Sequence, residues 1–449
     1  MISDYSFGSD FNADAGPWVV PTKGEPWPLV YNQIRRHGFL LLQPSVFAIE
    51  VNELEINDAI AHLYSNSIWG ALRGLETFSQ LLIPSGDGLN LAIKNQSIID
   101  EPKLPHRGLL LDTSRHFFPV EEILLTLDAM SYNKLNVFHW HIIDDNSFPY
   151  QSSAYPELSR KGAWHPSMVY TPKDVKAVIE HARLRGIRVM PEFDSPGHVA
   201  SWGLSHPELL TKCYDSMGNP DGRLGPINPT NPGIWPFLRT LLTEAMTVFE
   251  DHYIHLGGDE VPFDCWESNP QVISYMEEHG MSKDFTRLES AYIAELLKIP
   301  ASRNVFENRV ELTQDTVVHV WTGNWSEKLS KITEAGYPVL LSACWYLDHI
   351  AGGSDWSKFY NCDPLDFVDS DKVKDLMLGG EACMWSEFVD RNNMHQRIWP
   401  RASAAAERLW SKSIDSTLHV AQRLEEHTCR MNRRSIPAQP ANGPSFCIV

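Results

Sequence analysis

Two adjacent carboxylates, Asp259 and Glu260, close the stretch Tyr253-Ile254-His255-Leu256-Gly257-Gly258-Asp259-Glu260-Val261. An apolar run of strand character leads into them through two glycines. Glycine admits backbone geometry that a side chain forbids and lets a ligand approach closely. Successive side chains on an extended segment point to opposite faces, so the pair is poorly placed to face one another across a single bond. One can act as an acid while the other orients part of a substrate. The bland alternative is a solvated acidic turn.

Other stretches carry comparable chemistry. Asp144 and His198 lie at the ends of different apolar runs and could form a relay to a catalytic acid, although a His–Asp pair is more often structural. Arg115 could fork onto hydroxyls or a carboxylate, or simply bridge to Asp112. His139-Trp140-His141 has a spacing that could hold a metal, but the alternation reads as a buried strand. Neither an HExxH nor a paired CxxC motif is present, and no metal or cofactor is expected. Trp321, Trp345 and Trp385 could be core; at strand ends they suggest the walls of a sugar pocket, because indole offers a flat apolar face and an edge donor.

These residues need a scaffold that brings strand ends together. From Arg107 onward, strand-like runs alternate with helical patterns: Arg107–Leu111, Leu135–Ile143, Ile187–Met190, the opening stretch, Thr316–Val320, Val339–Ser342 and Leu376–Leu378. Helical patterns cover 173–185, 233–249 and 285–298, with further helices at 397–412 and 417–434. Such alternation implies parallel strands with crossover helices, with the chemistry at the C-terminal strand ends. Seven units are legible. A (β/α)8 barrel needs eight, and residues 299–310 contain no convincing buried strand. The sequence therefore predicts an α/β chain: a (β/α)8 barrel over 106–449 lacking its fifth strand, preceded over 1–105 by a lead-in and a small, shortened α/β domain. Strands are expected near Phe39–Leu42 and Val46–Val51, and a helix over 67–81.

Composition narrows the partners. The 449 residues, 43% hydrophobic and 21% charged, are ordinary for a globular chain with a large core. A formal charge of −19 argues against nucleic acid and anionic membrane surfaces. No run is long and apolar enough to span a bilayer, and the first residues lack the pattern of a signal peptide. Fifteen Trp is a high count. Seven Cys are compatible with disulfides, and the sequons at Asn95 and Asn324 permit glycosylation of a secreted chain.

The segments Arg107–His116, Asn136–His141, Glu192–His198, His255–Glu260 and Gly380–Trp385, in that order, are specific enough to identify a likeness. The chain resembles the β-N-acetylhexosaminidases of glycoside hydrolase family 20, animal lysosomal type, from about residue 65 onward. The resemblance implies exo-acting removal of terminal β-linked GlcNAc or GalNAc by substrate-assisted, retaining catalysis, an exception to the two-carboxylate scheme. It implies Glu260 as acid and Asp259 as the group that orients the substrate acetamide, with Tyr346 bonding the acetamido oxygen. Arg115 and Glu387 would hold ring hydroxyls, Asp144 and His198 would tune the acid, and Trp321 and Trp385 would wall the pocket. Asp348-His349 looks like the type that takes neutral sugars. The likeness further implies disulfides Cys213–Cys265 and Cys429–Cys447, with Cys344 and Cys362 as a third pair. It implies a lysosomal or secreted homo- or heterodimer. Loss of the fifth strand favours a rival reading, a sugar-binding homologue with impaired catalysis.

Overall fold

The computed structural model describes residue 44 and residues 48–57, 60–84, 90–299, 304–306, 316–349, 355–367, 371–445 and 447. Ahead of the barrel, β1 (Asn52–Asn57) pairs antiparallel with both β2 (Ile60–Ser65) and β3 (Gln96–Asp100). Helix α1 (Ile68–Leu81) packs on this sheet, capped at its start by Ser67, whose hydroxyl accepts from the Gly70 amide. The helix matches expectation. The strands at 52–65 and 96–100 were not foreseen, Ala48–Val51 is not a strand, and Phe39–Leu42 and Val46–Phe47 lie outside the described residues.

The barrel then follows as β4 (His106–Asp112), α2 (Val120–Tyr132), β5 (Val137–His141), α3 (Pro172–Arg183) and β6 (Arg188–Glu192). An unforeseen hairpin, β7 (Leu210–Tyr214) with β8 (Pro220–Ile227), precedes α4 (Ile234–Phe249). The second half runs β9 (Ile254–His255), α5 (Phe285–Leu297), β10 (Asn304–Phe306), β11 (Val317–Val320), α6 (Trp325–Glu334), β12 (Val339–Leu341) and β13 (Met377–Met384). Helices α7 (Arg401–Trp410) and α8 (Thr417–Arg433) follow.

The barrel closes in the order β9-β10-β11-β12-β13-β4-β5-β6. This corrects the expected gap. Asn304–Phe306 occupies the fifth position, with Ile254 opposite Asn304, His255 opposite Val305, Val305 opposite Val317 and Phe306 opposite Val318. Closure requires ladder partners on both sides, not a long apolar run. The neighbour β9 is itself only two residues long, so three residues suffice to bridge it to β11.

The strand period sorts side chains between lumen and outer layer. Val137, Met190, Val317, Leu340 and Leu378 form an apolar layer inside the barrel. Above it His139, Glu192, His255, His319 and Glu381 meet from five different strands. Trp140, between His139 and His141, points outward, donates to Thr113 Oγ1 and packs on Tyr170 and Phe249. β13 runs further than expected, so Glu381 is a lumen residue and not a strand-end one.

The described cysteines form three disulfides, Cys213–Cys265, Cys344–Cys362 and Cys429–Cys447, and Cys383 is free and buried. The first ties β7 to the short helix that follows the Asp259–Glu260 loop.

At the opposite end, Glu50 bolts the leading sheet to the barrel. Its carboxylate accepts from Arg73 Nε at 2.8 Å and from Arg107 Nη2 at 2.5 Å, and all three groups are buried. Arg73 also donates to the carbonyls of Leu135, Arg185 and Gly186 beneath the barrel. Replacing Glu50 by Ala leaves two guanidiniums buried without their counter-charge. We expect a loss of about 3–5 kcal/mol in chemical denaturation, the usual consequence of breaking a buried ion pair on one side. A change within 1 kcal/mol, roughly the worth of an exposed pair, would show that the contact is incidental.

Candidate active site

The mouth of the barrel is built from strand ends. β4 ends at Asp112, whose Oδ1 accepts from the backbone amides of Ser114 and Arg115 and whose Oδ2 accepts from the Ser386 amide after β13. That carboxylate therefore fixes two neighbouring loops. Arg115 reaches Asp112 at 3.3 Å and Asp144 at 2.8 Å, and Glu387 lies 4.0 Å away. Both sequence readings of Arg115 hold at once: it is ion-paired to Asp112 and stands at the mouth. Its guanidinium lies 5.2 Å from the centre of the Trp385 ring.

Asp144 is the junction. It is buried, and its oxygens accept from His141 Nε2 at 2.7 Å, Arg115 Nη2 at 2.8 Å and His198 Nδ1 at 3.2 Å. Burial raises its pKa, but the His141 and His198 hydrogen bonds and the nearby cations outweigh that and hold it well below the usual carboxylate range. The other face of His198 points to Glu260, Nε2 to Oε2 3.8 Å. Burial opposes a charged ring at His198, yet the Asp144 hydrogen bond and the surrounding carboxylates push its pKa up to about 10.

The Asp259–Glu260 pair sits on a loop, because β9 ends at His255. Gly257 and Gly258 take φ of +61° and +102°. A Cβ on Gly257 would lie 1.9 Å from Asp194 Oδ1, and the Gly258 amide donates to that same oxygen at 2.7 Å. The glycines are thus required for both turn and close approach. His198 and Glu260 also have positive φ, at 56° and 50°, a conformation costing on the order of 1–3 kcal/mol for a non-glycine residue and concentrated at functional sites. The two carboxylates have different surroundings. Glu260 is largely exposed, with 63% of its side chain accessible. Asp259 is half-buried, with a carboxylate oxygen within 4.8 Å of a carboxylate oxygen of Asp194 and a ring nitrogen of His198. Asp194 is buried, and burial together with the Asp259 charge pushes its carboxyl well above the usual range.

Tyr346 and Trp385 stand across from each other, ring centres 6.5 Å apart, and Trp385 meets the edge of His141 at 4.8 Å. Trp385 Nε1 is buried without an acceptor. Asp348 follows two residues after Tyr346, half-buried, and burial raises its pKa. The structure thus gathers Arg115, Asp144, His198, Glu260, Tyr346, Trp385 and Glu387. Trp321 stands apart from these contacts, half-buried directly after β11. Trp345 does not wall the pocket: it is fully buried and donates to the Phe359 carbonyl, so it belongs to the core.

Sequence reading assigned no role to His141, Asp194, Glu192 or Glu381. Two of the lumen imidazoles had a signal, the i, i+2 spacing of His139 and His141, which puts both on one strand face. The third group their spacing hinted at, a metal, finds possible ligands in His139, Glu192 and His255, but Glu192 already bonds imidazole.

A carboxylate pair on a glycine loop, an imidazole-backed carboxylate and the Trp385 indole thus stand together at the C-terminal end of a (β/α)8 barrel, the place where such barrels carry their chemistry. The chain belongs to glycosyl hydrolase family 20, whose catalytic-domain model matches residues 104–413, and a beta-acetyl hexosaminidase-like model matches residues 44–81. It is similar to the beta-hexosaminidase beta subunit of Felis catus, 51% identical over 409 residues that cover 89% of this chain and 77% of that one. Against the alpha subunit of Bos taurus the identity is 50% over 411 residues, covering 88% and 77%. Among solved structures it resembles the chitobiase of Flavobacterium johnsoniae, with a TM-score of 0.79, 28% identity, and coverage of 88% of this chain and 61% of that one.

The charge pattern fixes the pH dependence of stability. Burial opposes charge on His139, but the Glu381 and Glu192 carboxylates raise its pKa to about 9, and His198 rises to about 10, from 6.5. A raised imidazole pKa contributes stability that is complete below about 6.5 and lost as pH climbs through the folded value. We expect the calorimetric midpoint to fall between about pH 6.5 and 10, where these two rings titrate. A midpoint that rises across that window would contradict charged rings.

Proposed function

We propose that this site hydrolyses terminal, non-reducing β-linked GlcNAc and GalNAc by retaining, substrate-assisted catalysis. The observation that carries this reading is the asymmetry of the neighbouring carboxylates in a chain of this family. Glu260 is exposed beside His198, and Asp259 is drawn inward toward Asp194. Of the carboxylates packed around His198, Asp144 is committed to three cationic groups and Asp194 is buried. Neither can serve as a protein nucleophile.

Glu260 then donates its proton to the departing glycosidic oxygen as the bond from C1 breaks. The substrate's acetamido oxygen forms the new bond to C1, and the nitrogen of the resulting oxazolinium carries positive charge. Asp259 stabilises that charge and orients the group, and Tyr346 donates to the acetamido oxygen. Water, deprotonated by Glu260, reopens the ring at C1 with net retention. Arg115 and Glu387 hold ring hydroxyls, the free Trp385 N–H offers a donor to the sugar, and Trp321 gives a second indole wall. The relatives are named as subunits, which supports a homo- or heterodimer, and the chain's resemblance to the animal lysosomal type supports a lysosomal or secreted location. No described helix is long and apolar enough to cross a membrane. The impaired-catalysis rival rested on a missing strand, and the closed barrel removes that basis.

Glu260→Gln should keep binding of a thiazoline mimic while lowering turnover at least ~10²-fold, and Asp259→Asn should be severely impaired. Azide rescue of Glu260→Gln giving a glycosyl azide of inverted configuration would refute the oxazolinium route.

Asp348 supports a preference for uncharged sugars, since its carboxylate repels a 6-sulfate. Because burial raises its pKa, part of that repulsion disappears in acid. The kcat/KM ratio of neutral to 6-sulfated substrate should therefore grow as pH rises, and Asp348→Asn with His349→Arg should reverse the preference. A ratio independent of pH would remove Asp348 from the specificity.

A further inference from the structure

Below the mouth the lumen carries a row of imidazoles and carboxylates. His198 Nδ1 meets Asp144, and Asp144 meets His141 Nε2. His141 Nδ1 meets Glu192 Oε2 at 2.6 Å. The same Glu192 oxygen lies 3.0 Å, off-axis, from His139 Nε2, and His139 Nδ1 meets Glu381 Oε2 at 2.7 Å. Glu381 Oε1 ends the row on His106 Nε2 at 3.0 Å. Every member below His198 is buried.

Both nitrogens of His141 face carboxylate oxygens. A neutral imidazole has one N–H, so it can satisfy only one of them, and the other would be a lone pair against a carboxylate. The ring is therefore charged, or one carboxyl carries the proton. His139 also lies between two carboxylates, bonded to Glu381 through Nδ1 and only near Glu192 through Nε2. Rings and carboxylates alternate from Glu381 up to His198, and the outermost ring faces Glu260.

We propose that Glu192 is a positioning residue for the acid: by holding the His141 proton it fixes Asp144 as an anion, and Asp144 fixes His198 against Glu260. The proposal rests on the reading of Glu260 as the acid. The groups that face Glu192 are His139 and His141 from β5 and His255 Nδ1 from β9 at 2.9 Å, and Asp194, two residues onward, feels its charge. His319 from β11 bonds His255 Nε2 at 3.2 Å and Ser342 Oγ at 2.8 Å, and burial first of all drives its pKa down to about 3, so it adds no charge to the row. Burial opposes the charged forms throughout, but the Glu192 and Asp144 contacts hold His141 well above its ordinary value, and the three imidazoles hold Glu192 well below its own.

The test uses leaving groups. An alkyl aglycone needs protonation to depart, whereas a dinitrophenyl aglycone leaves unassisted. For Glu192→Gln we expect kcat on an alkyl β-GlcNAc to fall roughly ten- to a hundredfold, the scale of a displaced catalytic group, with KM little changed and a much smaller loss on the dinitrophenyl glycoside. Equal losses on both substrates would mean a merely structural role and overturn the proposal, as would no loss at all. Glu260→Gln run alongside separates the two ideas. If it shows no leaving-group dependence, the acid assignment fails; if it does and Glu192→Gln does not, only the positioning role fails. Should Glu192→Gln not fold, nitrogen NMR of the unaltered protein decides: lumen imidazoliums should persist at about pH 8, above the ordinary histidine pKa, and wholly neutral rings there would overturn the proposal.

Discussion

An imidazole cannot sit between two buried carboxylates without settling where a proton resides, and His141 sits between Asp144 and Glu192. Much of the site depends on that constraint. Asp144 can be a buried anion because three cationic groups converge on it from β5, the loop after β4 and the loop after β6. With Asp144 fixed, Arg115 and His198 are fixed, and they in turn border Trp385 and the Asp259–Glu260 loop.

The barrel makes this affordable in free-energy terms. A lumen filled with polar groups would be costly in isolation, since each unpaired buried charge costs several kcal/mol. Here the strand period stacks an apolar layer beneath and a layer of paired imidazoles and carboxylates above. The outward residues, Trp140 among them, belong to the large core beneath the helices. The ionic layer can therefore sit directly under the mouth without weakening the packing that carries the fold.

The Asp259–Glu260 loop shows a complementary arrangement. Positive φ at Gly257 and Gly258 keeps it close against Asp194, and the Cys213–Cys265 bridge anchors the chain just past it. Glu260 is left exposed at the end of a restrained segment, where it can meet a substrate and still feel His198.

The sequence by itself determined the strand–helix alternation, the order of the strand ends and most residues of the mouth. These are local facts: the periods of 2 and 3.6, glycines before carboxylates, and long ordered motifs all lie within short stretches. It also placed α1 and the α3, α4, α5 and α8 segments within a few residues. Only the tertiary structure decided the rest. Asn304–Phe306 is too short and too mixed to declare itself as a strand; its neighbours β9 and β11 supply the ladder that makes it one. Trp345 and Trp385 both follow strands closely, yet one is core and the other lines the mouth, a distinction set by what packs above them. Glu192, Glu381 and His106 are far apart in the chain and meet in the lumen only because closure brings their strands around. Proton placement on a group depends on its neighbours in space, and no spacing along one strand encodes a partner on the other side of a barrel.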